Sequence, residues 1–365
     1  MNDIWTEKYR PTTLNEIIDQ DEIKLFITGA LNDKNIPHLL LYGSPGTGKT
    51  TIINILCKSF FTYSKNDFPN NYELLNENIK LRANRILILN ASDEKGIKIV
   101  REKIKSFSSL SLILQNNKST TMIPNFKIII LDEADSMSYE SQFALRRIIE
   151  KYSNNTRFIL ICNYVNKIIP QIISRCFKFK FLPIKYNACK KIIINILQKE
   201  NIHIELNEDV YEYIYNNSNG DMRKLIMLLQ KISYIITKTI TLDDIKKLFN
   251  ELPESNFNFL MSVLKNKLSI DNQKLIFKQA QLFILKAYDL NNIINQLYLF
   301  FLKDIMIENK HKYNIINLLT IISNRINDGG IEFIHLCNLL FTINILLNNI
   351  SYTTTTNPFT IKLQS

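Results

Sequence analysis

Short apolar runs at 39–42, 86–89, 127–131, 158–162 and 177–181 punctuate the first half of the chain, and stretches of helical spacing separate them. Several are continuous in Leu, Ile and Phe rather than alternating with polar residues, the pattern of strands buried on both faces. Their alternation with helices predicts an α/β fold, a parallel sheet flanked by helices. Two polar stretches interrupt it. The Asn-rich segment 62–84, with its turn signal at Asp67-Phe68-Pro69-Asn70, reads as a surface excursion, and 115–124 reads as a second loop. After Pro183 strand signals fade: 186–200, 209–215 and 222–236 read as helices, with a turn over 216–221. Leu252-Pro253-Glu254-Ser255 marks a boundary to a further all-helical region ending near Ile350. The apolar run 333–350 carries His335, Asn338 and Asn344, which makes it a packed helix rather than a membrane span. The tail after the Thr353–Thr356 run has little to pack and is expected to be loose.

Chemistry enters at the end of the first apolar run. Gly43-Ser44-Pro45-Gly46-Thr47-Gly48-Lys49-Thr50 is a complete phosphate-binding loop, between a strand-like run and the helical Thr51-Ile52-Ile53-Asn54-Ile55-Leu56. Gly43, Gly46 and Gly48 let the backbone turn its N–H groups toward phosphate oxygens, and the following helix N-terminus adds partial positive charge. Lys49 is placed to reach the outer phosphates and Thr50 to ligate magnesium. Downstream, Leu131-Asp132-Glu133-Ala134-Asp135 follows a buried-strand pattern, which assigns Asp132 to the metal and Glu133 to the attacking water. The pairing predicts ATP and Mg2+ as cofactors, with Gly43 to Thr51 contacting the nucleotide.

Composition sets outer limits. A chain of 365 residues is long for a single core, so two or three domains are expected. Lys and Arg outnumber Asp and Glu by 45 to 34, a net charge of +11 that favours polyanion partners without identifying one. The five cysteines form no C-x-x-C pair and sit in no His-rich neighbourhood, so neither zinc nor a disulfide framework is indicated, and a reducing compartment is the simplest context. No signal peptide precedes Trp5, and no membrane partner is expected.

Further wording carries a family resemblance: Trp5-Thr6-Glu7-Lys8-Tyr9-Arg10-Pro11, Asn90-Ala91-Ser92-Asp93-Glu94-Lys95-Gly96-Ile97, Ile161-Cys162-Asn163-Tyr164-Val165 and Ser174-Arg175-Cys176. With the phosphate loop, these segments resemble the small subunits of replication factor C, AAA+ clamp-loader ATPases. They are most similar to the branch called subunit four in vertebrate naming. The resemblance runs from Trp5 to about Arg223 and weakens to a helical pattern beyond. It implies a AAA+ nucleotide-binding domain over 1–183, a small helical lid over 184–252, an all-α collar for oligomerisation over 253–350 and a tail over 351–365.

It also implies roles. Thr6, Tyr9, Arg10 and Pro11 match the segment lining the adenine and ribose pocket. Asn163 matches the residue that senses the terminal phosphate, and Arg223 in Gly220-Asp221-Met222-Arg223-Lys224 matches the lid arginine that holds phosphate. Arg175 matches the arginine finger, catalytic in trans at a neighbour's nucleotide. A complete nucleotide site together with this arginine excludes family members that lack either. The absence of an appended DNA-binding module excludes the large subunit.

One charge pattern stands partly on its own. If 94–107 is a helix at about 100° per residue, Lys95, Lys98, Arg101 and Lys105 form a stripe, while Ile97, Val100, Ile104 and Phe107 gather on another face. Spacing alone favours an ordinary amphipathic helix with a solvated basic side. The resemblance turns the stripe toward DNA phosphates, assigns 108–114 to the sliding clamp, and makes Arg146 and Arg147 part of a central basic helix coupling DNA to the nucleotide site. The partners implied are the other subunits of a heteropentamer, the sliding clamp and primer-template DNA. A nuclear location follows from that role, although no basic import run is evident. Two other readings stay open: another AAA+ motor or remodelling ATPase, and a scaffold subunit that binds ATP without significant hydrolysis.

Overall fold

In a computed structural model, residues 4–63, 71–92, 97–110, 123–202, 206–235, 242–248, 250–304 and 309–348 are described. The chain forms two compact units, Met1–Thr239 and Ile240–Ser365.

The first unit is built on a parallel sheet of β1 (Leu39–Gly43), β2 (Ile86–Asn90), β3 (Lys127–Asp132), β4 (Thr156–Cys162) and β5 (Phe177–Phe181), in spatial order β2-β3-β4-β1-β5. The three inner strands carry the continuous apolar runs because both their faces are covered. Leu39, Leu41, Ile128, Ile130, Ile159 and Ile161 enter one core, while Leu40, Ile129, Leu131, Phe158, Leu160 and Cys162 enter the opposite one, the period-2 alternation of a strand. Edge strand β5 instead exposes Phe177, Lys178 and Lys180 and buries Phe179 and Phe181. Two lysines on an edge discourage further strand pairing.

The helices of this unit are α1 (Trp5–Lys8), α2 (Asp21–Asp33), α3 (Lys49–Phe60), α4 (Asn71–Arg85), α5 (Ile97–Ser109), α6 (Tyr139–Tyr152), α7 (Pro170–Ile173), α8 (Tyr186–Lys199), α9 (Glu208–Ser218) and α10 (Met222–Ile235). Side chains of α2 and α3 cover one face of the sheet, and those of α5, α6 and α7 cover the other. α4 corrects the expectation of a loop excursion over 62–84. Its composition is polar, but Asn78 and Leu81 lie on one face and are buried, and the Asn78 side chain accepts the Tyr63 N–H at 2.6 Å. A buried amide with a backbone partner takes a place on the core-facing side that composition assigns to an apolar residue. The turn expected over 216–221 is shorter, since α9 continues to Ser218 and ends at Asn219 in the left-handed region, a common helix stop. The N-terminal part of the loop expected over 115–124, and the tail, lie outside the described residues.

The second unit is helical throughout its described residues: α11 (Leu242–Leu248), α12 (Glu254–Lys265), α13 (Ile270–Leu285), α14 (Leu290–Lys303), α15 (Asn309–Asn327) and α16 (Glu332–Leu347). Leu260, Leu264, Ile276, Phe283, Leu297, Phe301, Ile322 and Leu340 form one core. Asn344, an interruption of an apolar run in the sequence, is fully buried there. Its Nδ2 donates to the Leu264 and Asn266 carbonyls at 2.8 and 3.0 Å. Asn272 Nδ2 donates to the Val263 carbonyl at 3.1 Å. Both amides serve carbonyls at the end of α12, where no intrahelical donor is left. Among the described residues no helix is long and apolar enough to cross a membrane.

Candidate nucleotide site

Register brings the chemistry together. Tyr42 lies beside Cys162 on the neighbouring strand, and Leu131 lies beside Leu160, so Gly43, Asp132 and Asn163 emerge on the same carboxyl edge of the sheet. That edge is where open α/β sheets bind ligands. A side chain at Gly43 would meet the Phe181 carbonyl oxygen at 2.2 Å, and one at Gly46, whose φ is +68°, would meet the Asp221 carboxylate at 1.7 Å. Both positions therefore require glycine.

Lys49 opens α3 and is buried, and its ammonium donates to the carbonyls of Gly43 and Ser44 at 2.9 and 2.8 Å and to Asn163 Oδ1 at 3.1 Å. Burial lowers its pKa, Asp132 opposes that shift, and the charge of Arg223 adds to it. Thr50 Oγ1 donates to Asp132 Oδ2 at 3.0 Å, so the two residues assigned to a metal are already adjacent. An alcohol and a carboxylate form a hard oxygen donor set that fits Mg2+. The other Asp132 oxygen accepts the Glu133 N–H at 2.9 Å. Glu133 is exposed and adopts φ +54°, an uncommon conformation for a non-glycine residue and one found at functional turns.

Asp135, two residues further along the same acidic turn, acts on the backbone. Its Oδ2 accepts the N–H groups of Asn163 at 3.2 Å and Tyr164 at 3.1 Å, tying the end of β4 to the turn after β3. Spacing in the sequence does not reveal this bond, which joins segments far apart along the chain.

The helices after β5 reach the same loop. The Met222 N–H donates to the Gly46 carbonyl at 3.1 Å, and the Asp221 carboxylate caps α10 by accepting from Arg223 and Lys224 at 2.8 and 3.3 Å. The first turn of α10 thus stands on the phosphate loop, and Arg223 is exposed within that turn. The N-terminal segment packs on the same helix, with the Trp5 N–H donating to Gln230 Oε1 at 3.1 Å. Thr6, Tyr9 and Pro11 are half-buried, and the half-buried Arg10 pairs with Glu7 at 2.5 Å. Ser44 and Pro45 are exposed, Thr47 is buried with its hydroxyl on the Ser44 carbonyl at 2.9 Å, and Thr51 is half-buried on α3.

Arg175 is not part of this cluster. It precedes β5 at the opposite edge of the sheet, where the Phe177 N–H bonds the His38 carbonyl at 2.8 Å. Phe181, not Phe177, pairs with Gly43. At about 3.3 Å per residue, β5 from Phe177 to Phe181 spans roughly 13 Å, and Arg175 lies in the turn before its start, at the end away from the phosphate loop. Its guanidinium is held by Glu150 at 2.5 Å and by the Gln171 carbonyl at 2.5 Å, and Glu150 also pairs with Arg146 at 3.0 Å.

The basic stripe is described in part. Lys105 is exposed on α5, while Ile104 is buried and Phe107 packs on the core, as the two-faced spacing requires. The described part of this helix begins at Ile97, and Glu94 lies outside the described residues. Lys95 and the side chains of Lys98 and Arg101 lie outside the described residues. Of the 108–114 segment, Ser108 is buried and Leu110 is exposed.

A parallel sheet whose phosphate loop, acidic pair and strand-end amide converge on one edge defines a nucleotide-binding P-loop ATPase of the AAA+ class. The ATPase family associated with various cellular activities matches residues 39–184, and the Replication factor C C-terminal domain matches residues 258–342. Replication factor C subunit 2 of Schizosaccharomyces pombe is 36% identical, over 94% of this chain and 94% of its own length. Replication factor C subunit 4 of Homo sapiens is 35% identical, over 93% of this chain and 87% of its own. A solved structure of the Thermotoga maritima RuvB Holliday junction branch migration motor aligns with a TM-score of 0.48 at 17% identity, over 70% of this chain and 79% of that chain. The chain belongs to the replication factor C small-subunit family, and its activity is that of a clamp-loader ATPase.

Proposed function

We propose that this chain is one ATPase of a heteropentameric loader that opens a sliding clamp and places it on primer-template DNA in the nucleus, with ATP and Mg2+ as its cofactors. Residues 1–183 act as the nucleotide-binding base, 184–252 as the lid, 253–350 as the collar and 351–365 as a tail. The observation that carries the reading is the division of labour across the sheet. Lys49, Thr50, Asp132 and Asn163 meet at one edge, while Arg175 stands at the other, beyond reach of its own site.

Magnesium-bound ATP supplies the transferable phosphoryl group and the charge that the site must neutralise. Lys49 exchanges loop carbonyls for phosphate oxygens, and Thr50 and Asp132 would hold the metal, which would neutralise charge on the phosphates. Asn163, freed from Lys49, donates its side-chain amide toward the terminal phosphate or the water. Glu133 orients that water and draws its proton. Arg223 adds a donor fork from the lid, and Arg175 adds one at the neighbouring subunit. Thr6, Tyr9, Arg10 and Pro11 line the base and ribose pocket. Lys95, Lys98, Arg101 and Lys105 track DNA phosphates without reading sequence, Arg146 and Arg147 pass that contact toward the site, and 108–114 touch the clamp.

Purification of the chain from its own cells with its partners, followed by mass identification and hydrolysis assays, tests the reading. The expected result is a five-subunit assembly whose ATP hydrolysis rises on adding clamp and primed DNA. A homohexamer, or an assembly whose hydrolysis ignores both, would sink it.

A further inference from the structure

Glu200 occupies the C-cap of α8, an end of a helix where outward-facing carbonyls disfavour a carboxylate. Two donors from the N-terminal segment offset that cost: Lys8 Nζ lies 2.6 Å, and the Tyr9 hydroxyl 2.5 Å, from the same Glu200 oxygen. The Tyr9 ring is held on other sides too. The Trp5 indole meets it edge-on with ring centres 6.0 Å apart, and the ammonium groups of Lys8 and Lys199 lie 5.5 and 5.9 Å from its centroid. Burial and the Glu200 carboxylate push the Tyr9 phenol up, which keeps it a donor, and the Lys8 and Tyr9 hydrogen bonds hold Glu200 below the usual carboxylate range.

α10 relates this cluster to the phosphates. Met222 at its start contacts the phosphate loop, and Gln230 further along contacts Trp5. The stretch between them spans about 12 Å of helix axis. One rigid element therefore sets the separation between the phosphate loop and the Tyr9 segment, a separation suited to phosphates at one end and a base at the other.

We propose that Glu200 is a positioning residue for the nucleotide: by accepting the Tyr9 hydroxyl and pairing with Lys8 it fixes the Tyr9 ring as a wall of the base pocket, which makes the end of α8 part of base binding. The inference rests on the reading of Tyr9 as a base-pocket residue. Glu200 touches neither base nor phosphate and acts through the tyrosine.

The test compares ligands with and without a base on the full chain. Calorimetry measures the affinities of ATP, ADP and inorganic tripolyphosphate, each with magnesium, for Glu200→Ala, Glu200→Gln, Tyr9→Phe and Tyr9→Ala. Glu200→Ala and Tyr9→Phe should each weaken ATP and ADP about tenfold, the cost of one lost partner for a half-buried polar group, and leave tripolyphosphate within about twofold. Glu200→Gln retains an acceptor oxygen and should stay within about threefold of wild type. The double variant Glu200→Ala/Tyr9→Phe should bind no more weakly than Glu200→Ala alone. Wild-type ATP affinity in Glu200→Ala, or an equal loss for ATP and tripolyphosphate, overturns the assignment. The two levels separate through Tyr9→Ala: unchanged ATP affinity there overturns the base-pocket reading itself, whereas a loss there with none in Glu200→Ala removes Glu200 alone.

Discussion

Lys49 is a buried cation whose acceptors are two loop carbonyls and the Asn163 amide oxygen, so the group assigned to the phosphates also ties the loop to the end of β4. Lys49→Ala removes the charge-assisted contacts to phosphate, each worth about 1.5–3 kcal/mol, and should weaken ATP binding by about a hundredfold or more. Glu133 is exposed and makes no contribution to that cradle. Glu133→Gln should therefore bind ATP within about threefold of wild type while slowing hydrolysis by about 10² to 10⁴, the range for a lost general base. Equilibrium binding and single-turnover hydrolysis separate the two, and equal loss of affinity in both variants would remove the role given to Glu133. These residues are legible in the sequence because the loop and the acidic pair are contiguous there. The contacts of Asp135 and Glu200 are not, because their partners are backbone and side-chain groups brought close only by the fold.

Helices and strands differ in how far sequence reveals them. The inner strands are readable because burial on both faces leaves no polar interruption, and each expected run falls on an observed strand. α4 is not, because Asn78 takes an inward position and serves the backbone at Tyr63. The same physics explains Asn344 on α16, where a polar residue in an apolar run marks the end of another helix rather than a solvent face. Asn344→Ala leaves the Leu264 carbonyl without its side-chain donor inside the core, while the Asn266 carbonyl keeps Asn348 Nδ2 at 2.9 Å, and should cost about 1–3 kcal/mol. Urea unfolding gives the magnitude, and faster hydrogen exchange at the C-terminal turn of α12 locates it. An unchanged midpoint with unchanged exchange would show that the bonds are replaced without loss.

At the scale of the whole molecule, the sheet gives the subunit two chemically different edges. The carboxyl edge gathers Lys49, Thr50, Asp132 and Asn163, and the amino edge presents Arg175 held by Glu150 and Gln171. Arg175 precedes β5, whose roughly 13 Å of strand rise separates Phe177 from Phe181, the partner of Gly43. In the assembly, Arg175→Ala should leave this chain's own ATP binding intact and lower hydrolysis at the adjoining subunit's site by about 10³ to 10⁵, the range for finger arginines. Single-turnover hydrolysis, with every other ATPase site disabled and clamp and primed DNA present, reads that site alone. A wild-type rate there would leave Arg175 as a structural residue. Motif wording assigns Arg175 its role by resemblance, whereas its distance from the loop follows only from parallel register, which no local pattern encodes.

The docking of Trp5 has a practical consequence. It is the chain's one tryptophan, it is buried, and its backbone is bonded to α10. Tryptophan emission from the unlabelled protein, excited at wavelengths the sixteen tyrosines do not absorb, is therefore an optical signal of a single place, the junction between the N-terminal segment and the helix that stands on the phosphate loop. A red shift would report that junction opening to water, in real time and without a dye.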